Sequence, residues 1–215
     1  MHAWETHHVR RLLTVLFPDG IERYLDFACG TGRLTREIAP MARASVGVDI
    51  SETMLENARA KVPGVEFIHA DLTTSQLDLG EFDLISAFRF FGNADPELRV
   101  EALRVINQLQ PIGSFLVTNN HRNPASLVHR ISKLRGVSME LDLTPGLFSK
   151  LLAGAGYHVV KVVPIGAWMY RGRSMHLAGT RPRLERALER VFGHGVMARF
   201  APDSVVLAQK ISHFH

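Results

Sequence analysis

The stretch that most constrains this chain's fold is LDFACGTGRLT at residues 25–35, where a strand-like run passes through a glycine-rich turn into a helical pattern. Gly30 and Gly32 lack a Cβ, so the backbone can bend sharply there and a ligand can lie close to it. The first N–H groups of a following helix are free to face that ligand. The pattern therefore predicts a nucleotide or cofactor seat at the carboxyl end of a strand.

Strand-like and helix-like segments alternate along the rest of the chain. After an N-terminal helix within residues 1–20, we predict strands at residues 21–27, 44–48, 65–69, 82–88, 114–118, 157–164 and 205–208. The helices predicted between them lie at residues 32–39, 54–61, 96–110, 126–135 and 145–153, with Ser51 and Asp95 as N-caps of the second and third. This alternation favours an α/β fold in which helices cover both faces of a parallel sheet.

Composition narrows the class of protein. The chain has 215 residues, of which 46% are hydrophobic and 21% charged, so we predict a single domain over residues 1–215. A net charge of +4 is compatible with an anionic ligand without requiring one. The one cysteine excludes an internal disulfide, and no stretch reads as a signal peptide or a membrane span. We therefore expect a cytoplasmic protein.

Polar residues fall where the second and third predicted strands end. Asp49 closes the second strand about twenty residues beyond the glycine turn, the spacing at which a carboxylate accepts hydrogen bonds from ribose hydroxyls. Asp71 follows the third strand and is placed to accept from an adenine amine, with Ile50, Met54 and Leu72 as apolar neighbours of the ring. These positions predict a cofactor that contains adenosine.

Four motifs in this order resemble the class I S-adenosylmethionine-dependent methyltransferases. They are residues 25–32, Gly47-Val48-Asp49, Ala70-Asp71-Leu72 and residues 82–85. Thr35 stands where a dinucleotide turn carries its third glycine or alanine, which disfavours a pyrophosphate ligand. The resemblance covers residues 21–118 well and residues 145–209 loosely. It implies a Rossmann-like, seven-stranded, mostly parallel sheet whose antiparallel last strand lies between the fifth and sixth.

The resemblance also implies S-adenosylmethionine as the cofactor, with S-adenosylhomocysteine (SAH) as its product. Asp26 would organise the first turn and the methionine amino group, and Asp49 would bind the ribose. Cys29 is interpreted as a small turn residue rather than a nucleophile. The complete predicted cofactor set is Asp26, Ala28, Gly30, Gly32, Asp49, Ile50, Met54, Asp71, Leu72 and Phe88.

The predicted acceptor pocket follows the fourth and fifth strands. It contains Arg89, Phe91, Asn93 and His121, with Arg89 as a partner for a carboxylate or phosphate. His121 is the candidate general base, and its alternative is a loop histidine in solvent. The Asn/Asp-Pro-Pro-aromatic signature of relatives that act on DNA bases or amide nitrogens is absent, so we expect no DNA substrate. The remaining histidines lack a ligand framework, so we predict no metal site.

Two basic insertions, at residues 122–139 and 170–201, are predicted to cover the acceptor side. Their arginines and lysines would suit an anionic small molecule, a lipid headgroup surface or RNA, and these alternatives stay open. The sequence does not specify the acceptor, the methylated atom or the oligomeric state.

The predicted function is transfer of a methyl group to an O or N atom of a small molecule such as a natural product, a lipid or another metabolite. RNA or protein methylation on the same fold and a non-catalytic cofactor-binding module are the alternatives. An NAD(P)-dependent oxidoreductase would use Tyr157 and Lys161 at the Tyr-x-x-x-Lys spacing. That segment reads as a strand, in which the two residues would lie about 13 Å apart, too far for a lysine to tune a tyrosine.

Overall fold

The computed structural model describes residues 2–75, 77–121, 123–126, 129, 143–165 and 200–214. These residues form one seven-stranded sheet with the strand order β3-β2-β1-β4-β5-β7-β6. The strands are β1 Ile21–Phe27, β2 Ala42–Asp49, β3 Glu66–His69, β4 Leu84–Ala87, β5 Phe115–His121, β6 Tyr157–Ile165 and β7 Asp203–Lys210. β1 to β5 pair in parallel, and β7 runs antiparallel between β5 and β6. The predicted sheet topology is therefore confirmed.

Five helices are described, numbered here in chain order. They are α1 His2–Leu16, α2 Thr35–Ile38 with a 3-10 turn at Ala39–Met41, α3 Glu52–Lys61, α4 Pro96–Gln108 and α5 Pro145–Gly154. The Ser51 hydroxyl caps α3 by accepting from the Met54 N–H, and the Asp95 carboxylate caps α4 by accepting from the Leu98 N–H. Both predicted N-caps are confirmed.

The hydrophobic core lies on both faces of the sheet, because successive strand residues point to opposite sides. Tyr24, Leu84 and Val117 belong to a cluster that also contains Val9 and Leu13 of α1. Their chain neighbours Leu25, Ile85 and Leu116 belong to a second cluster with residues of α4 and α5. Helices therefore cover both faces, as predicted.

Several element boundaries differ from the prediction. α2 begins at Thr35 rather than at Gly32, because Ala28, Gly30 and Gly32 all have positive φ and the turn continues to that point. β5 continues to His121, because it pairs with β7 as far as Asp203. For the same reason β7 begins at Asp203, two residues earlier than predicted. The predicted helix at residues 126–135 and both basic insertions lie almost entirely outside the described residues.

None of the helices within the described ranges combines the length and the apolar character needed to cross a bilayer.

Candidate functional site

The glycine-rich turn after β1 is closed on one side and open on the other. A Cβ added at Gly32 would lie 3.1 Å from the Cβ of Ala58, so α3 packs closely against this residue. A Cβ added at Gly30 would meet no atom within 4 Å. The backbone at Gly30 therefore faces open space, as a seat for a ligand requires.

The Asp49 carboxylate joins this turn to the start of α3. One oxygen, Oδ2, accepts from the Gly30 N–H at 2.7 Å, and the other, Oδ1, accepts from the Ser51 N–H at 2.9 Å. The carbonyl of Asp49 accepts from the Ala70 N–H at 3.1 Å, which places the start of the Asp71 loop beside it. The predicted positions Gly30, Asp49 and Asp71 thus lie along one edge of the sheet.

Exposed apolar side chains flank Asp49. Ile50 is 71% exposed and Met54 is 45% exposed, whereas Leu72 is buried in the core. Asp71 uses its Oδ1 to accept from the Thr73 N–H at 2.9 Å and from the Thr73 hydroxyl at 2.6 Å. Exposed apolar groups beside two carboxylates fit an adenosine, which has a flat apolar ring and polar edges.

Asp26 is buried at the end of β1, with both carboxylate oxygens engaged inside the protein. Oδ2 accepts from the Thr35 hydroxyl at 2.5 Å, and Oδ1 accepts from the Ser86 hydroxyl at 2.6 Å. The Ser86 hydroxyl also forms a 2.7 Å hydrogen bond with the Tyr24 hydroxyl. Burial raises the pKa of Asp26, although the two hydroxyl hydrogen bonds oppose that rise. Asp26 therefore ties the turn to β4, while its predicted contact with a methionine amino group stays a prediction.

Cys29 lies inside the turn next to β2. Its Sγ would be 3.2 Å from a Cβ at Gly47, so the space around the sulfur is filled. Burial, together with the charges of Asp26 and Asp49, raises the pKa of the Cys29 thiol. A thiol that resists ionisation is a poor nucleophile, which supports its interpretation as a small turn residue.

Glu5 of α1 is a functional-site candidate that the sequence analysis missed. Its Oε2 lies 3.2 Å from Arg33 Nη1 and 3.8 Å from Arg89 Nη2, and its Oε1 accepts from the Asn119 amide at 3.2 Å. Glu5 is spaced four residues from Val9, and Val9 four from Leu13, so all three share the buried face of the helix. An acidic residue at a core-facing helix position was the signal that could have revealed it.

The loop after β4 holds the predicted acceptor residues in different settings. Arg89 is half-exposed and has a φ of +60°, and its N–H donates to the Asn119 side-chain oxygen at 2.6 Å. The Asn93 amide donates to the Arg89 carbonyl at 2.6 Å, which closes the loop. Phe88 and Phe91 are buried, and Phe91 packs on Phe148 inside the core. Phe91 thus lies in the core and not at an open surface.

The carboxyl end of β5 is buried and polar. Asn119, Asn120 and His121 are all buried, and His121 pairs with Asp203 across the β5–β7 ladder. A Cβ at Gly92 would lie 2.8 Å from His121 Cε1, so the loop after β4 packs directly on the imidazole. The structure therefore brings His121 and the Arg89 loop together, while their role as an acceptor pocket stays a prediction.

Tyr157 and Lys161 lie on β6 and not on a helix. The Tyr157 hydroxyl donates to the Gln110 side-chain oxygen at 2.7 Å and is buried. The helical Tyr-Lys pair of a dehydrogenase is therefore absent at these two positions. Within the described part of the chain, no three His, Cys, Asp or Glu side chains cluster as metal ligands.

Comparisons with known proteins agree with this geometry. The family model described as "Methyltransferase domain" matches residues 25–111. A trans-aconitate 2-methyltransferase of Azoarcus sp. strain BH72 is 31% identical over 172 residues, which cover 77% of this chain and 60% of that relative. A demethylmenaquinone methyltransferase of Clavibacter sepedonicus is 34% identical over 113 residues, covering 51% of this chain and 45% of that relative.

The fold is shared with solved methyltransferases. The magnesium protoporphyrin IX methyltransferase from Synechocystis PCC 6803, crystallised with bound SAH, matches with a TM-score of 0.68 at 17% identity. The match covers 97% of this chain and 83% of that structure. The sequence of residues 25–111 thus matches a methyltransferase domain, the whole chain shares the fold, and the resemblance to the class I S-adenosylmethionine-dependent methyltransferases is confirmed. The chain spans only about half the length of the two curated relatives, 45% and 60%.

The buried charge of Glu5 should contribute more to stability than a similar charge at the surface. We expect Glu5→Gln to lower the free energy of unfolding by roughly 1–3 kcal/mol, because two guanidinium groups lose a desolvated carboxylate. Glu37 is the matched control: it also faces two arginines, at 3.7 and 3.2 Å, but its side chain is 19% exposed against 2% for Glu5. Glu37→Gln should cost at most about 1 kcal/mol. Urea unfolding measures the free energy of unfolding of both variants. Equal losses in the two would contradict the larger contribution assigned to Glu5.

Asp26 should make stability depend on pH in a defined direction. Because its folded pKa is raised above the ordinary 3.8, the unfolded chain releases this proton first as pH rises. Wild-type protein should therefore lose stability relative to Asp26→Asn from about pH 3.8 up to the raised pKa, with a constant difference above it. Urea unfolding of both proteins across this range measures the difference. A difference that grows in favour of wild type with rising pH would disprove the burial effect.

Proposed function

We propose that this protein, whose residues 25–111 match a methyltransferase domain, transfers a methyl group from S-adenosylmethionine to an O or N atom of a small anionic acceptor. The observation that carries the cofactor assignment is the Asp49 carboxylate, held between the Gly30 turn and the start of α3. The sulfonium supplies an activated methyl group and departs as a neutral thioether. The protein must therefore orient the acceptor, exclude water and accommodate any proton that is released.

Different residues along the edge of the sheet would bind different parts of the cofactor. The open backbone at Gly30 would lie beneath the cofactor, and Asp49 would accept from the ribose hydroxyls. The exposed side chains of Ile50 and Met54 would cover the adenine, with Asp71 at its polar edge. The adjoining groups of the chain already fix these positions through hydrogen bonds, so little ordering remains to be done on binding.

An anionic acceptor is supported by Arg89. Its guanidinium is half-exposed and lies 3.8 Å from the Glu5 carboxylate, whereas Arg33 lies 3.2 Å from it. Glu5 therefore pairs more closely with Arg33, which leaves the Arg89 guanidinium able to bind an anionic group. The loop hydrogen bonds to Asn119 and Asn93 hold its backbone in place. The relatives named as trans-aconitate methyltransferases act on a tricarboxylate, which favours a carboxylate-bearing acceptor here.

His121 is proposed as the general base where the acceptor is protonated. Its burial at the end of β5 keeps it out of solvent, and Asp203 lies opposite it in the adjacent strand. A carboxylate beside an imidazole would favour the tautomer and orientation needed to accept a proton.

We propose the cytoplasm as the compartment in which this protein acts.

Removal of the Asp49 carboxylate should abolish most of the affinity for the cofactor product. We expect Asp49→Ala to raise the calorimetric Kd for SAH by at least about tenfold, because hydrogen bonds to a charged group are lost. Asp78→Ala is the matched control, since the Asp78 carboxylate is exposed and accepts only a long 3.4 Å hydrogen bond from Gly80. Full SAH affinity in Asp49→Ala, or NADH binding in place of SAH, would contradict the proposal.

The acceptor class is tested with tritium-labelled S-adenosylmethionine. We expect label in trans-aconitate or in a bacterial small-molecule pool, with the yield lowered at least about tenfold by Arg89→Gln if Arg89 binds the acceptor's anionic group. Arg43→Gln is the control, because Arg43 is an exposed arginine that pairs with Glu22 at 3.0 Å away from the site. Label found only in RNA or protein would overturn the small-molecule assignment and support the alternative substrates.

A further inference from the structure

Among the residues that the structure describes at the carboxyl edge of the sheet, Asn120 has a buried side-chain amide with no hydrogen-bonding partner at either polar atom. It is 1% exposed, and within the described structure neither its amide nitrogen nor its amide oxygen has a hydrogen-bonding partner. Because both atoms lack one, the observation does not depend on which way the amide is oriented. A buried amide without partners is costly, so folded proteins rarely keep one without a purpose.

The neighbours of Asn120 show that the orphaned amide is not a general feature of this region. The preceding residue, Asn119, uses its oxygen to accept from the Arg89 N–H and its nitrogen to donate to Glu5. On the sheet face that Asn120 occupies, the Thr118 hydroxyl donates to the Ala87 carbonyl at 2.5 Å. Asn123, beyond the strand, donates to the Ala201 carbonyl and accepts from the Ala125 N–H. The side chains of Thr118, Asn119 and Asn123, close to Asn120 in the sequence, are therefore paired.

The position of Asn120 indicates what its partner is. In an open sheet, ligands bind beyond the carboxyl ends of the strands, and Asn120 lies in the last two residues of β5. Arg89 is tied to the same strand end through Asn119, whose side chain, like that of His121, lies on the other face of β5, so the two faces meet only beyond the end of the strand. The orphaned amide therefore belongs to the part of the edge proposed for the acceptor, at a distance along the sheet from Asp49 on β2.

We propose that the side-chain amide of Asn120 determines acceptor specificity by hydrogen bonding to a hydroxyl or carboxylate oxygen of the methyl acceptor. This inference rests on the proposed function. Asn120 supplies a neutral group that both donates and accepts, whereas Arg89 supplies a charge. Together they select an acceptor with an anionic group and a second polar oxygen, and an analogue lacking that oxygen would leave the amide unpaired.

The first test compares the Tm of variants with that of the wild type, because removal of a binding amide and removal of a structural amide change the Tm in opposite directions. Asn120→Leu and Asn120→Ala remove the orphaned amide, so the Tm should stay constant or rise if the amide serves only the acceptor. Asn119→Leu is the matched control on the same strand and should lower the Tm, because its amide is paired on both sides. The Kd for SAH should be unchanged in both Asn120 variants.

Methyl transfer supplies the second readout. The concentration of trans-aconitate, or of the labelled small-molecule pool, that gives half-maximal transfer should rise at least about tenfold in both Asn120 variants. A lowered Tm in both, as expected if a buried water or the fold needs the amide, would overturn the inference. An unchanged half-maximal concentration would overturn it equally.

Failure of the proposed function is recognised separately. If wild-type protein does not bind SAH, the methyltransferase assignment fails whatever the Asn120 variants do. The acceptor role of Asn120 then fails with it, whereas SAH binding by the wild type together with an unchanged half-maximal acceptor concentration in the Asn120 variants overturns the Asn120 inference alone.

Discussion

The structure of the site depends on one carboxylate that accepts two backbone hydrogen bonds. Asp49 binds the N–H of Gly30 and the N–H of Ser51, so the turn after β1 and the start of α3 are fixed relative to each other. Parallel pairing brings the ends of β1 and β2 to the same edge, which is why a residue of one strand reaches the turn of the other. Without this acceptor, the Gly30 N–H would need another partner and the open face of the turn would lose its shape.

The same edge brings unusual backbone conformations and buried polar groups close together. Ala28 and Arg89 are the two non-glycine residues with positive φ in the described part of the chain, and both follow strands that end there. Asp26 is buried in the same region with a raised pKa, and Asn120 is buried without a partner. Such strain persists where surrounding packing imposes it, and here apolar clusters on both faces of the sheet provide that packing. Strain gathered at this edge of the sheet fits the binding role proposed for it.

Local signals in the sequence were enough to predict the sheet and to bring the predicted cofactor residues Gly30, Asp49 and Asp71 to one of its edges. The glycine turn, the Ser51 and Asp95 caps and the aspartates at strand ends each act over a few residues, so they can be recognised without the fold. The start of α2 was predicted three residues early, because positive φ at successive positions cannot be read from residue type alone. Glu5, Ser86 and Asn120 were missed since their roles arise from contacts between segments distant in sequence, such as Glu5 with Asn119.

Helix α1 stands outside the sheet yet reaches its carboxyl edge through Glu5, which contacts Arg33 beside the glycine-rich turn and Arg89 in the loop after β4. Val9 and Leu13 add apolar packing on the sheet to the polar contact that Glu5 makes with Asn119 of β5. If Arg89 binds the acceptor as proposed, a substitution at Glu5 would retune the charge around Arg89 without touching the strand pairing. Acceptor preference could then diverge between descendants that inherit the same sheet.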